Sequence, residues 1–384
     1  MSIVSIVKCA DYDRDRVLES VGEALRLAEL DGAMGQGMRV LVKPNLLSAR
    51  APEQAVTTHP MIVRALVELC KARGCEVAIG DSPPFAGRNP ERYARLCEAT
   101  GMAQVARELN VPIVRFEESF ETVVYPQGRF YKNFEIARSV LDADLIINVP
   151  KLKTHGLTVF TGAVKNVFGC VPGIRKGLFH VQAAEEREVF AQMLVDLYGA
   201  LPRMVHVMDA VVGMDGEGPN MGSPKQIGAI LASSDAVALD AVSCEMVGIE
   251  AMSVATTRLA YEQGLGCADL AAIDVRGDSL DDMRVADFRL SSGRNEWARI
   301  PAPIRRLLRR QLVATPRVLS SECIGCGDCA DVCPVKAITS GRPPKIDLHK
   351  CIRCYCCHEV CNYSAAQLRQ GWLARMIVRG REKE

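Results

Sequence analysis

Between Cys323 and Cys361 the chain repeats one cysteine spacing: Cys323-x-x-Cys326-x-x-Cys329-x-x-x-Cys333-Pro334, then Cys351-x-x-Cys354-x-x-Cys357-x-x-x-Cys361. Three thiolates spaced this way on a tight loop wrap one corner of an iron–sulfur cube, and the fourth, opening a short helix, reaches the other cube. The spacing therefore predicts two 4Fe–4S clusters. Cys323, Cys326, Cys329 and Cys361 hold the first; Cys351, Cys354, Cys357 and Cys333 hold the second. A pair of zinc knuckles is the competing reading of Cys-x-x-Cys pairs, but it leaves the regular repeat and its duplication unexplained. Cys356 reads as a spare buried thiol.

From Val318 to about Ala366 this stretch resembles bacterial-type two-cluster ferredoxins. Its halves align, Glu322-Cys323-Ile324-Gly325-Cys326 against Lys350-Cys351-Ile352-Arg353-Cys354, with Val318-Leu319 and Lys345-Ile346-Asp347 expected as paired strands leading into the loops. Where the first run ends in Cys333-Pro334, the second ends in Cys361-Asn362. Lys350, Arg353 and His358 are expected to raise the second cluster's potential.

At 384 residues the chain should form two or three domains. Apolar residues make up 48% and aromatics only 5%, which suits an aliphatic α/β core. A net charge of +1 provides no global field to attract nucleic acid. The eight cysteines outside the two runs show no disulfide-framework spacing, and free thiols beside iron–sulfur ligands fit a reducing compartment. Residues 1–8 read as a first strand rather than a signal peptide. No apolar run approaches the ~20 residues needed to span a bilayer. A cytoplasmic protein without a transmembrane segment is expected.

From Ser2 to about Leu290 short apolar runs alternate with amphipathic helices, the pattern of an α/β fold with a mostly parallel sheet covered on both faces. Strands are expected at Ile3–Val7, Arg39–Val42, Glu76–Ile79, Ile113–Phe116, Asp144–Val149, Met204–Met208, Ile227–Leu231 and Ile273–Arg276. Helices are expected at Arg14–Glu29, Pro60–Arg73, Pro90–Leu109, Glu188–Leu201, Ser234–Val247 and Val254–Gln263. The organisation is then an α/β domain (1–293), a basic linker helix (294–317), a small α+β two-cluster domain (318–366) and an amphipathic C-terminal helix (367–384). The linker carries seven arginines against one acid. It reads as a helix with a solvated basic face, or as a docking surface for an acidic electron donor or anionic lipid.

Ligands of open α/β sheets bind outside the carboxyl ends of the strands. Four expected strands run there into polar residues: Lys43-Pro44-Asn45, Gly80-Asp81-Ser82, Pro150-Lys151-Leu152-Lys153-Thr154-His155, and Asp209 followed by Asp215-Gly216-Glu217-Gly218-Pro219. The third continues through Gly162-Ala163-Val164-Lys165-Asn166 to Lys176 and His180. Four such endings suggest one crevice whose lysines favour an anionic small molecule. Lys151, His155 and Lys165 are candidate catalytic groups, and Lys43, Asn45, Asp81, Lys153, Asn166, Asp209 and Glu217 candidate substrate contacts. In the bland readings His155 and His180 cap or fill the core, Asp81 caps a helix, Asp240 pairs with a buried lysine and Cys170 is a small buried hydrophobe. A metal held by His155, His180, Asp81 and Asp209 matches no ligand spacing. Walker A, Gly-x-Gly-x-x-Gly and radical adenosylmethionine patterns are all missing.

These segments, with Ser234-Asp235-Ala236-Val237-Ala238-Leu239-Asp240, resemble the family called domain of unknown function 362 over about residues 1 to 290. That resemblance implies an iron–sulfur protein with no settled reaction, whose members often carry a ferredoxin module. The expected function is a ferredoxin-linked oxidoreductase passing low-potential electrons from a soluble donor to an anionic substrate. The alternatives are an electron carrier or partner-binding module without a catalytic site of its own, and clusters that are structural or sense oxygen.

Overall fold

The computed structural model describes residues 1–84, 89–183, 186–291 and 314–369. Fourteen strands are present among them: β1 (Ser2–Lys8), β2 (Arg39–Pro44), β3 (Glu76–Asp81), β4 (Ile113–Arg115), β5 (Phe120–Val124), β6 (Asn133–Ala137), β7 (Leu145–Val149), β8 (Lys151–His155), β9 (Val159–Thr161), β10 (Met204–Asp215), β11 (Ser223–Ser233), β12 (Ile273–Gly277), β13 (Thr315–Val318) and β14 (Ala366–Arg369). The helices of the body are α1 (Arg14–Leu27), α2 (Pro60–Ala72), α3 (Pro90–Ala99), α4 (Met102–Leu109), α5 (Arg138–Leu141), α6 (Ala163–Asn166), α7 (Gly173–Ala183), α8 (Arg187–Ala200), α9 (Ala236–Met246) and α10 (Ala255–Glu262).

The main sheet runs β12-β1-β11-β10-β7-β2-β3-β4. Every pair along that path is parallel except the two made by β11, which lies antiparallel to both β1 and β10. Alternation along the strands splits the core between two faces: in β7, Ile147 and Val149 pack with Ile62 and Leu66 of α2, while Ile146 packs with Met193 and Leu194 of α8. Burying side chains such as Ile62 and Leu66, both 0% exposed, stabilises the fold by about 1.5–3 kcal/mol each.

Four expectations need correction. Pro90–Leu109 is two helices, because Gly101 takes a positive φ of 76° between α3 and α4. The strand expected to stop at Met208 continues to Asp215, because β11 pairs with it over residues 206–215. The stretch read as a polar loop at Lys151–His155 is strand β8. Pro150 lacks the N–H that would continue β7, and the chain resumes alongside the second half of β10. In the C-terminal module Val318 pairs with Ala366 and Ile346 bridges to Ile338, rather than 318–319 pairing with 345–347. Residues 315–317, expected at the end of the linker helix, and residues 366–369 are therefore strand. The remainder of the expected basic linker up to residue 313, and of the C-terminal helix from 370, lies outside the described residues.

Candidate functional site

Because side chains alternate along β8, Lys151, Lys153 and His155 share one face, yet each meets a different partner. Lys151 Nζ donates to Asp209 Oδ2 and to the Tyr12 hydroxyl, both at 2.8 Å, in a fully buried ion pair. Lys153 Nζ donates to Asn45 Oδ1 and to the Val56 carbonyl, both at 2.7 Å. Asn45 Nδ2 donates onward to Asn166 Oδ1 at 3.0 Å, and Asn166 Nδ2 to Asn148 Oδ1 at 2.8 Å. The chain of amides fixes which atom of each side chain faces outward. His155 reaches the cysteine-rich module: its Nε2 lies 3.3 Å from Glu359 Oε1.

A cavity of about 830 Å³ opens between the α/β body and that module. Asn45, Asp81, His155, Lys165, Asn166, Lys176 and His180 line it from the body, and Cys333, Pro334, Cys356 and Glu359 from the module. Of the expected site residues, Lys43, Lys151, Lys153, Asp209 and Glu217 stand off its wall. Lys43 lies behind Asp81 in a buried ion pair at 2.9 Å, and Asp81 Oδ2 accepts from the Leu46 N–H at 2.8 Å instead of capping a helix. Glu217 accepts from the Ser291 hydroxyl at 3.3 Å. Among the described residues Asp240 meets no lysine; it accepts the N–H groups of Ala163 (2.5 Å) and Val164 (3.1 Å) and so positions α6, which carries Lys165. Glu359 escaped the sequence reading, because Asp331 holds the matching position of the first run and an acid there marks nothing by itself.

Burial sets the protonation of the wall. It pushes His155 down to about 4, despite Glu359 pulling the other way. Leu157 N–H donates to His155 Nδ1 at 2.9 Å, so the neutral ring carries its proton on Nε2, toward Glu359. Burial would raise the Glu359 carboxyl; the His155 hydrogen bond and the nearby Lys165 ammonium outweigh it and hold the group down at about 2. Burial lowers Lys165 and brings Lys176 to about 8. Both ammoniums lie 5.5 Å from the Phe168 ring centroid, and Lys176 also donates to the Ser82 carbonyl. His180, stacked on Phe190 at 4.6 Å, is pushed by burial to about 4. The floor thus combines ammoniums with neutral donors, suited to a bound anion.

The cysteine runs have the same backbone shape. Gly325 and Gly327 take φ of 79° and 86°, and the matching Arg353 and Tyr355 take 50° and 62°. A positive φ at residues with a side chain costs about 1–3 kcal/mol and persists only where the surroundings demand it. Backbone N–H groups point at the sulfurs: Ala337 to Cys333 at 3.2 Å, Arg353 to Cys351 at 3.4 Å and Ala366 to Cys361 at 3.4 Å. Burial raises the Cys326 and Cys329 thiols, and Cys361 beside both raises them further. Burial likewise raises Cys351 and Cys357, and Cys333 acts on both. Cys361 thus lies near Cys326 and Cys329, and Cys333 near Cys351 and Cys357, which Cys329 also influences. Sulfurs so arranged, three of them with amide donors, fit cubane ligation. Among the described residues no group of three or more His, Cys, Asp or Glu side chains converges as a single metal ion requires, and Asp209 lies away from His155 and His180 on the cavity wall.

The body grips the module through Cys361, whose carbonyl accepts from Arg50 Nη2 at 3.2 Å and from Asn220 Nδ2 at 3.1 Å. Among the described residues no helix is long and apolar enough to cross a membrane.

The model of a family described as domain of unknown function (DUF362) matches residues 40–245, and that of a 4Fe–4S binding domain matches residues 316–339. The thylakoid-associated protein sll1697 of Synechocystis sp. is 31% identical over 276 residues, covering 70% of this chain and 81% of that protein. Among solved structures, the lactate racemase apoprotein from Thermoanaerobacterium thermosaccharolyticum aligns over 64% of this chain and 56% of its own, with a TM-score of 0.39 and 17% identity.

Proposed function

Because the chain belongs to the DUF362 family and carries a 4Fe–4S binding domain, we propose that it is an iron–sulfur oxidoreductase that reduces an anionic small molecule in the cavity between body and module. The observation that carries this reading is the shared wall: Lys165, His155, Asn45 and Asn166 on one side, Cys333 and Glu359 on the other. Cys323, Cys326, Cys329 and Cys361 would hold one 4Fe–4S cluster and Cys351, Cys354, Cys357 and Cys333 a second. When bound, such clusters supply single electrons at low potential.

The chain's own residues then divide the remaining work. Lys165 binds the anion and, made more acidic by burial, donates a proton as charge develops. Asn45 and Asn166 orient the ligand through amides locked by Lys153 and Asn148. His155 has its proton committed to Glu359 and acts as a positioning residue. Lys151, sealed against Asp209 and Tyr12, serves the fold. Cys326, the exposed cysteine of its set, faces a soluble one-electron carrier. None of the 16 cysteines forms a disulfide, which supports a cytoplasmic setting.

The test is reoxidation. Anaerobically purified, dithionite-reduced protein is freed of reductant and mixed with fractions of a small-molecule extract. An acidic fraction should reoxidise the wild type, and Lys165→Ala should slow this by about 10²-fold or more while the visible absorbance stays intact. Reoxidation by protein fractions alone, at equal rates in both, would make the chain a carrier.

A further inference from the structure

The cavity is built with its polarity inverted. Its inner end is polar: His155 and Lys176 are 3% and 5% exposed, and Asp81, Lys165 and Glu359 stand with them. Its outer edge on one side is apolar. Leu178 and Val181 are 55% and 39% exposed, three residues apart on α7, and therefore share a helix face at the mouth. Between the two ends Phe168 and Phe190 make the wall continuous. Cavities that take small polar ions have no use for a greasy lip, and water gains nothing from contact with it.

Charge sets the other requirement. At the inner end Lys43 is paired with Asp81, and Lys176 donates to the Ser82 carbonyl. Lys165 is left to meet a ligand, since no side chain among the described residues hydrogen-bonds its ammonium. One ammonium so placed matches one carboxylate. A dicarboxylate reaching outward along α7 would press its second head against Leu178 and Val181, losing water without gaining a partner.

We infer that the occupant is an amphiphilic monoacid, its single carboxylate at Lys165 and its apolar body running outward along Leu178 and Val181. This rests on the reading of the cavity as the substrate site and narrows it to a class of compound. On the opposite lip Lys336 is exposed and Arg92 is paired with Asp328 at 3.4 Å, so the apolar body has one side of the mouth to follow.

The experiment is calorimetric titration of the full-length, cluster-loaded protein under anaerobic conditions with octanoate, succinate and inorganic phosphate at matched ionic strength. Octanoate should bind at least about tenfold more tightly than either of the others. Lys165→Met should weaken octanoate by about tenfold or more. Leu178→Asn, at an exposed position that tolerates a polar side chain, should also weaken it about tenfold while leaving phosphate affinity unchanged. Succinate or phosphate binding as tightly as octanoate, in a Lys165-dependent way, overturns the amphiphilic class and leaves the substrate site standing. Binding of all three that ignores Lys165→Met, or no binding of any, overturns both.

Discussion

Glu359 of the cysteine-rich module faces His155 of the α/β body, Oε1 to Nε2 at 3.3 Å, with both side chains buried at the edge of the cavity. The imidazole is a neutral donor here because its other nitrogen already accepts the Leu157 N–H. A charged module residue is thus held by a body residue that has to stay uncharged for the geometry to persist.

This makes the protein acid-sensitive. Burial lowers His59, His155 and His180 to about 4 and His206 to about 3, from 6.5. Each stays neutral in the fold while the unfolded chain takes up a proton, so their contribution is complete above pH 6.5 and drains away as pH falls toward 4. Glu359, held at about 2 against 4.5, adds a loss between those values. Asp240 works in the opposite sense: burial raises it to about 7, and its contribution fades as pH rises through 7. With four histidines against one carboxyl, the urea midpoint should be clearly lower at pH 5 than at pH 7.5. Equal midpoints would contradict the assigned protonation states.

Gly169 passes directly over the Lys43–Asp81 ion pair, where an added methyl would fall on Asp81 Oδ1 and Lys43 Nζ. Gly169→Ala should cost about 3 kcal/mol by overpacking and by prising apart a buried pair. Gly22, inside α1 with no heavy atom within 4 Å of an added methyl, is the matched control. Gly22→Ala should stabilise by about 0.5–1 kcal/mol. Denaturation midpoints moving in opposite directions are the expected result.

Two clusters imply roughly eight irons per chain. Cys333→Ala and Cys361→Ala should each leave about four, because each removes a ligand from a different set. Cys356→Ala, which alters the extra thiol on the cavity wall, should retain all of them. Iron and sulfide counts on anaerobically purified variants decide it; four irons in the wild type would leave a single cluster.

Arg50 places a guanidinium against the Cys361 carbonyl at 3.2 Å and the Ser364 hydroxyl at 3.3 Å. Positive charge beside a cluster favours the reduced, more negative state. Arg50→Gln should lower one reduction potential by roughly tens of millivolts and leave the other in place. A potentiometric titration followed by paramagnetic resonance separates the two; an unchanged pair of potentials would remove Arg50 from that role.

Ligand spacing acts within a few residues, so the cysteine runs declare their chemistry without help from the fold. The apolar runs at Arg39–Pro44 and Leu145–Val149 declare buried parallel strands almost as directly. What local pattern does not contain is direction into or away from the cavity. Lys151, Lys153 and His155 look alike as loop residues, and only their pairing beside β10 sends Lys151 to Asp209 and His155 to the module. The reach of Glu359 into the cavity depends on how two parts distant in sequence meet, and no periodicity encodes that.

The grip of Arg50 and Asn220 on the Cys361 carbonyl means that the C-terminal module is not an exchangeable cassette. A borrowed 4Fe–4S domain could bring iron–sulfur chemistry, but without an acid opposite His155 or a backbone shaped to those two donors it would leave the chamber missing a side. Variation in the two halves should therefore be correlated, with changes at the cysteine-rich end answered by changes around Arg50, His155 and Asn220.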